Sequence, residues 1–233
     1  MLNLIVLARG VTIVEINEQM LTNYLVFDRP VNYCENITIR PFKVEDMILF
    51  QTLMQAITIR KNSTFPEKAI IKMTYLEFLN YAYKNIELEQ KYEIKGLSQY
   101  YGMLVDLFQY VCDTTDIEIH YGESPKVMVN GTEITSEMFD DIRRIIIIQN
   151  DVDFDIDEFI NYQTEQALLR AKQRLNDGDT ATLEDKIDSI TIALKLSPSE
   201  ISQLSVRKFN RYLKRINMYD EYKILRAASM SGF

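Results

Sequence analysis

Residues that could do acid–base or nucleophilic chemistry are few and scattered in this sequence. The single histidine, His120, lies in an alternating run beside a predicted hairpin, with no recognisable pattern of serine, cysteine or aspartate partners. Cys34 and Cys112 have neither a paired motif nor a metal-ligand spacing, and no pattern marks a catalytic thiol. We therefore expect an exposed strand histidine, two packing cysteines in a reducing compartment, and a protein that is not an enzyme.

Two kinds of ligand site can be compared with the sequence. The seven glycines are scattered and form no phosphate-binding loop, which argues against the usual nucleotide sites. Asp151 begins an alternating acidic stretch of the calcium-loop type. Its sixth position, however, is Ile156 instead of glycine, and its twelfth is Tyr162 instead of glutamate. Acids before a helix are better explained by the helix dipole. We therefore expect no metal and no cofactor.

Composition indicates an ordinary globular protein of one or two domains. The chain has 233 residues, of which 47% are hydrophobic and 26% charged. Its net charge of −8 argues against non-specific attraction to nucleic acid or anionic lipid. No window approaches the roughly 20 apolar residues needed to cross a bilayer. The apolar start, residues 1–7, lacks a basic leader and predicts a first strand rather than a signal peptide. We expect a cytosolic protein without membrane association.

Along the first 112 residues, the predicted secondary structure changes from short strands to helices. The first forty are predicted to be β-rich, in short aliphatic runs at residues 2–7, 11–16, 25–27 and 36–40. Helical spacing begins at Val44, and Lys61–Pro66 is a polar break. Thr74 and Glu77 form a capping box that predicts a second helix, and a third follows Gly96.

Asn130-Gly131 lies between two β-prone runs and predicts a hairpin within residues 117–134, because both residues tolerate a positive φ. Helices are expected after Ser136, over 157–175, after the cap at Thr182 and after Ser197-Pro198. The fold class is therefore α+β and mostly helical. A small N-terminal β region and the hairpin belong to a domain of residues 1–150, and residues 151–233 form a helical C-terminal domain.

One segment near the C-terminus is much more basic than the rest of the chain. Residues 206–226 contain seven basic and two acidic residues, a balance of +5 in a chain of −8. Residues 196–216 also have the pattern of a helix-turn-helix, in which a second, basic helix can enter the DNA major groove. Three interpretations remain open at this point: the solvated face of a terminal helix, a surface for an acidic protein partner, and a DNA-binding surface.

Short phrases along most of the chain resemble one family of bacteriophage proteins. They read FDRPV at 27–31, ITIRP at 37–41, VED at 44–46, KN at 61–62, IIKMTYL at 70–76, LSVRKF at 204–209, YKIL at 222–225 and SMSGF at 229–233. These phrases are similar to those of the tail assembly chaperones of long-tailed phages of low-GC Gram-positive bacteria, which are encoded just before the tape measure.

The resemblance implies a non-enzymatic protein of virion morphogenesis in the host cytoplasm. Its partners would be the tape-measure and tail-tube proteins, with self-association possible as well and nucleic acid not expected. A structural protein of the virion tail or baseplate is the alternative, and a small DNA-binding regulator is the third candidate. The residues expected to contact a partner lie in the basic helix and just after it: Arg207, Lys208, Phe209, Arg211, Tyr212, Arg215, Tyr219 and Tyr222.

Overall fold

The computed structural model describes residues 16–122, 125–154 and 181–230. In these ranges the chain is α+β and mostly helical, with two small antiparallel sheets, as the sequence predicts. The predicted run at 2–7, all but the last residue of the run at 11–16, and the predicted helix at 157–175 lie outside the described residues. The two-domain division stays a prediction.

The first element in the described residues is a helix and not a strand. Helix α1, Glu18–Val26, starts at Asn17, whose side chain accepts a hydrogen bond from the Met20 amide at 3.1 Å. The prediction of a strand over 25–27 is therefore wrong, because residues 25 and 26 continue this capped helix. Strands β1, Val31–Cys34, and β2, Ile37–Ile39, then pair antiparallel, which confirms the run at 36–40.

Six helices follow β2 and build the central body. They are α2 Met47–Ile57, α3 Lys61–Thr64, α4 Lys68–Lys72, α5 Tyr75–Lys84, α6 Glu87–Tyr92 and α7 Tyr100–Cys112. The predicted capping box is present, with the Thr74 amide donating to Glu77 Oε2 at 2.7 Å. The polar break predicted over 61–66 instead contains the short helix α3. One turn forms there because Thr64 N donates to Arg60 O at 3.0 Å.

The second sheet contains the predicted hairpin. Strands β3, Ile117–His120, β4, Lys126–Val129, and β5, Thr132–Ile134, are antiparallel in the order β3-β4-β5. Asn130 and Gly131 have φ values of 49° and 71°, as this tight turn requires. Helix α8, Ser136–Gln149, follows β5 and packs on α5, β2 and β5. The core lies between α2, α5, α7 and α8, where the largest buried rings include Phe78, Phe108 and Phe139.

Three helices complete the described chain: α9 Leu183–Leu194, α10 Pro198–Ser202 and α11 Val206–Met230. The predicted caps at Thr182 and Ser197 are present, and each is part of a capping box. The turn between α10 and α11 is joined to the segment after β2: Val44 N donates to Leu204 O at 3.0 Å, and Val206 N donates to Phe42 O at 2.9 Å. The beginning of α11 is therefore fixed to the central body. None of the described helices is long and apolar enough to span a membrane.

Candidate partner-binding site

Helix α11 divides into a root, residues 206–216, and a distal half, residues 217–230. In the root, Val206 and Phe209 are buried, and Phe209 is only 1% exposed. Tyr212, Leu213 and Ile216 are half-buried against the same core. In the distal half, every side chain that the structure describes is exposed. The helix is thus attached at one end and open to solvent at the other.

Arg207 attaches the root to the rest of the molecule. Although it is a cation, it is only 6% exposed. Its Nη1 donates to Ile148 O at 2.9 Å, near the end of α8, and lies 3.4 Å from Asp151 Oδ1. Its Nη2 pairs with Glu18 of α1. A carbonyl near a helix C-terminus and two carboxylates together compensate a buried guanidinium, so Arg207 is an anchor within the chain.

Lys208 and Arg211 extend this network toward the surface. Lys208 Nζ lies 3.2 Å from Asp28 Oδ2, and Asp28 also accepts a hydrogen bond from Ser205 Oγ at 2.7 Å. Ser205 Oγ in turn accepts from the Lys208 amide at 3.1 Å, which caps α11. Arg211 is half-exposed, and its Nη1 is 3.9 Å from Glu18 Oε1. Of these two cations, Arg211 is the more available to a partner.

The predicted site residues therefore separate into two groups. Arg207 and Phe209 are buried and Lys208 is paired within the chain, whereas Arg211, Arg215, Tyr219 and Tyr222 are exposed and Tyr212 is half-exposed. Sequence reasoning missed the other exposed apolar side chains of the distal half, 58–79% exposed: Met218, Ile224, Leu225 and Met230. The sequence does indicate this exposed surface, because apolar residues continue past Ile216 on more than one side of the helix.

The histidine and the two cysteines lie in different surroundings. His120 is an exposed strand residue, as predicted, with Nε2 3.6 Å from Glu118 Oε2. Cys34 is half-buried and Cys112 buried, and both are free thiols. Burial, and then the proximity of Cys34, raise the pKa of Cys112 to about 12, so its reactive thiolate is disfavoured. Within the described ranges, no three His, Cys, Asp or Glu side chains are grouped closely enough to hold a metal ion.

Two acidic residues of α8 have raised pKa values but different surroundings. Burial is the largest cause for both Asp140 and Asp141. Asp141 accepts a hydrogen bond from Tyr33 Oη at 2.9 Å. The charges of Arg143 and Lys61 act on Asp140 and partly offset its burial. Each carboxyl thus has its own compensating group inside the fold.

Comparison with known proteins bears on the same end of the chain. A family model described as the YomV second domain matches residues 172–233, a stretch that contains α9, α10 and all of α11. YomV is a Bacillus phage-region protein. The match is consistent with a phage protein of low-GC Gram-positive bacteria. No curated protein and no solved structure matches the chain.

Proposed function

We propose that this protein is a non-enzymatic tail assembly chaperone of a long-tailed phage, which binds the tape-measure protein and helps to recruit tail-tube subunits. The observation that carries the proposal is the distal half of α11, where six large apolar side chains are exposed on an anchored helix. The family resemblance along the chain and the match over residues 172–233 support the phage context.

The distal half has the properties needed to bind an apolar helix reversibly. Met218 and Met230 present flexible, polarizable side chains, which adapt to different contact surfaces. Tyr219 and Tyr222 present rigid rings with a polar tip, a residue type enriched at the centres of interfaces. Reversible binding of a partner helix requires contacts of this kind and no catalytic chemistry.

Two other functions remain as competing outcomes. A structural protein of the virion tail or baseplate would use the same exposed surface for permanent contacts. A DNA-binding regulator has less support, because Arg207 and Lys208 are engaged with carboxylates of the same chain. The overall charge of −8 also opposes attraction to phosphate.

Co-expression with the tape measure tests the proposal directly. We expect the tape measure to be soluble only when this protein is present and to be recovered with it in a pull-down. Mass spectrometry of purified virions is expected to find the tape measure without this protein. Recovery of the protein from virions in stoichiometric amount would instead make it a structural tail protein. A salt-sensitive gel shift that is lost in an Arg211→Ala/Arg215→Ala variant would favour the DNA-binding regulator.

A further inference from the structure

We infer that the distal half of α11 binds an amphipathic α-helix whose apolar stripe is bordered by acidic side chains. The inference rests on the proposed function and names the chemistry of the partner at that surface. Three observations carry it: the position of the exposed stripe around the helix, the extent of its exposure, and the cations beside it.

The exposed stripe is distinct from the core face of the helix. At 3.6 residues per turn, Met218, Tyr222 and Leu225 fall on one side of α11. Phe209 and Ile216, which face the core, fall on the opposite side. The stripe therefore lies on a different side of the helix from Phe209 and Ile216, and no element in the described ranges covers it.

The distal half exposes many large apolar side chains for its length. The six apolar side chains of the distal half, Met218, Tyr219, Tyr222, Ile224, Leu225 and Met230, are 57–79% exposed. Apolar residues on more than one side of a helix indicate burial in a larger packing unit, and a contiguous exposed apolar patch marks an interaction site. A helical partner can contact residues spaced at i, i+4 and i+7, which is the spacing of Met218, Tyr222 and Leu225.

The charges beside the stripe indicate which kind of partner helix would bind there. Lys214 and Arg215 lie about one turn before Met218, Arg226 lies next to Leu225, and the exposed acid Glu221 lies between Met218 and Leu225. These three exposed cations make no ion pair with any residue in the described ranges. Acidic side chains along the borders of a partner stripe would meet them, and basic ones would be repelled.

A second copy of this chain fits the same surface less well. Its α11 would bring the same excess of cations, since residues 206–226 contain seven basic and two acidic side chains. Only Asp220 and Glu221 could meet them, and Asp220 already pairs with Lys223 at 3.3 Å. Charge complementarity therefore favours an acidic partner helix over self-association.

Binding of three synthetic helical peptides to the full chain, followed by fluorescence anisotropy, tests the inference. All three share one length: the first has a leucine stripe bordered by glutamate, the second has the same stripe bordered by lysine, and the third keeps glutamate but replaces the stripe with serine. We expect the first peptide to bind at least about tenfold more tightly than either of the others. Added salt should weaken its binding because the cations are exposed.

Two variants of the protein identify the surface. Tyr222→Ser/Leu225→Ser is expected to weaken the first peptide about tenfold or more, as loss of central anchors does. The control, Ile48→Ser, removes an apolar side chain on α2 that is 79% exposed, and it is expected to leave binding unchanged. Arg215→Glu/Arg226→Glu should reverse the preference, so that the lysine-bordered peptide binds more tightly.

Three results would overturn the inference. Equal binding of the glutamate- and lysine-bordered peptides would show an apolar surface without charge selection. Binding of none of them, with a dimer in light scattering that Tyr222→Ser/Leu225→Ser abolishes, would show that a second copy covers the stripe. Co-expression separates the inference from the chaperone function. If Tyr222→Ser/Leu225→Ser keeps the tape measure soluble, the inference fails and the function stands. If the peptides bind as expected but the tape measure is not solubilised, the function fails and helix binding stands.

Discussion

At the scale of single residues, Arg207 connects three parts of the chain through one guanidinium. It donates to the carbonyl of Ile148 in α8 and forms ion pairs with Glu18 and Asp151. The two carboxylates are more exposed than the guanidinium, so water screens much of the ionic contribution. The hydrogen bond to the carbonyl and the buried stem of the side chain remain.

Arg207→Ala is therefore expected to lower the free energy of unfolding by about 1–3 kcal/mol, because it removes the guanidinium hydrogen bond to Ile148 O and the packing of a buried side chain. Urea unfolding followed by circular dichroism measures the change. The control is Arg215→Ala, an exposed cation of the same helix, whose effect should stay within about 0.5 kcal/mol. Equal effects of the two substitutions would contradict the anchoring role.

Tyr110 is a second residue whose surroundings have a measurable consequence. Its ring stacks on Phe42 with centroids 4.1 Å apart, and its Oη donates to Asp46 Oδ2 at 2.6 Å. Burial, and then this hydrogen bond, raise the pKa of Tyr110 to about 12. Burial also raises the pKa of Tyr101 to about 12. Both rings are thus held in the protonated form by the fold.

The raised pKa values of Tyr101 and Tyr110 predict a loss of stability in alkali. Their ordinary pKa is near 10, so the unfolded chain loses these protons at a lower pH than the folded chain does. Their contribution is complete below pH 10 and is lost as the pH rises through about 12. Urea unfolding at a series of pH values should show this decline, and Tyr110→Phe should make it shallower. A flat profile across this window would contradict the assignment.

At the scale of elements, the β4–β5 turn and helix α7 use glycine in different ways. Gly131 has a φ of +71°, and an added Cβ would meet nothing within 4 Å. Gly102 lies inside α7, where an added Cβ would be 3.7 Å from Tyr121 Oη, an ordinary contact. The same substitution to alanine thus acts on backbone conformation at one position and on helix propensity at the other.

We expect opposite signs from these two substitutions. Gly131→Ala should destabilise the protein by about 1–2 kcal/mol, because alanine is disfavoured at positive φ. Gly102→Ala should stabilise it by about 0.5–1 kcal/mol, because alanine is the better helix former. Thermal or urea unfolding of the two variants beside the parent measures both. A destabilised Gly102→Ala variant would show that α7 has no room for the methyl group.

At the scale of the whole molecule, the two halves of α11 differ in packing, and the binding that we propose belongs to the exposed half. The root packs on the core through Val206 and Phe209, whereas the described side chains of the distal half are exposed. A chain that ends at Ile216 is therefore expected to unfold within about 0.5 kcal/mol of the full chain, as surface changes do. It should also bind less of a dye that reports exposed apolar surface. A large loss of stability would show that the distal half packs on the body.

Much of the local structure can be predicted from the sequence because its causes are short-range. The caps at Thr74, Thr182 and Ser197 each involve a partner three residues further on. The turn at Asn130-Gly131 depends on the conformational freedom of two adjacent residues. Signals of this kind are complete within one turn of the chain, so residue type and spacing determine them.

The role of each residue in α11 was decided only by the tertiary structure. Arg207 and Arg215 are the same residue type in the same basic helix, yet one is buried and the other is exposed. The groups that bury Arg207 belong to residues 18, 148 and 151, which lie far away along the chain. Met218 and Leu225 likewise have the composition of core residues and are exposed because no described element covers them. Burial depends on which elements come together, and residue spacing within one helix does not identify those elements.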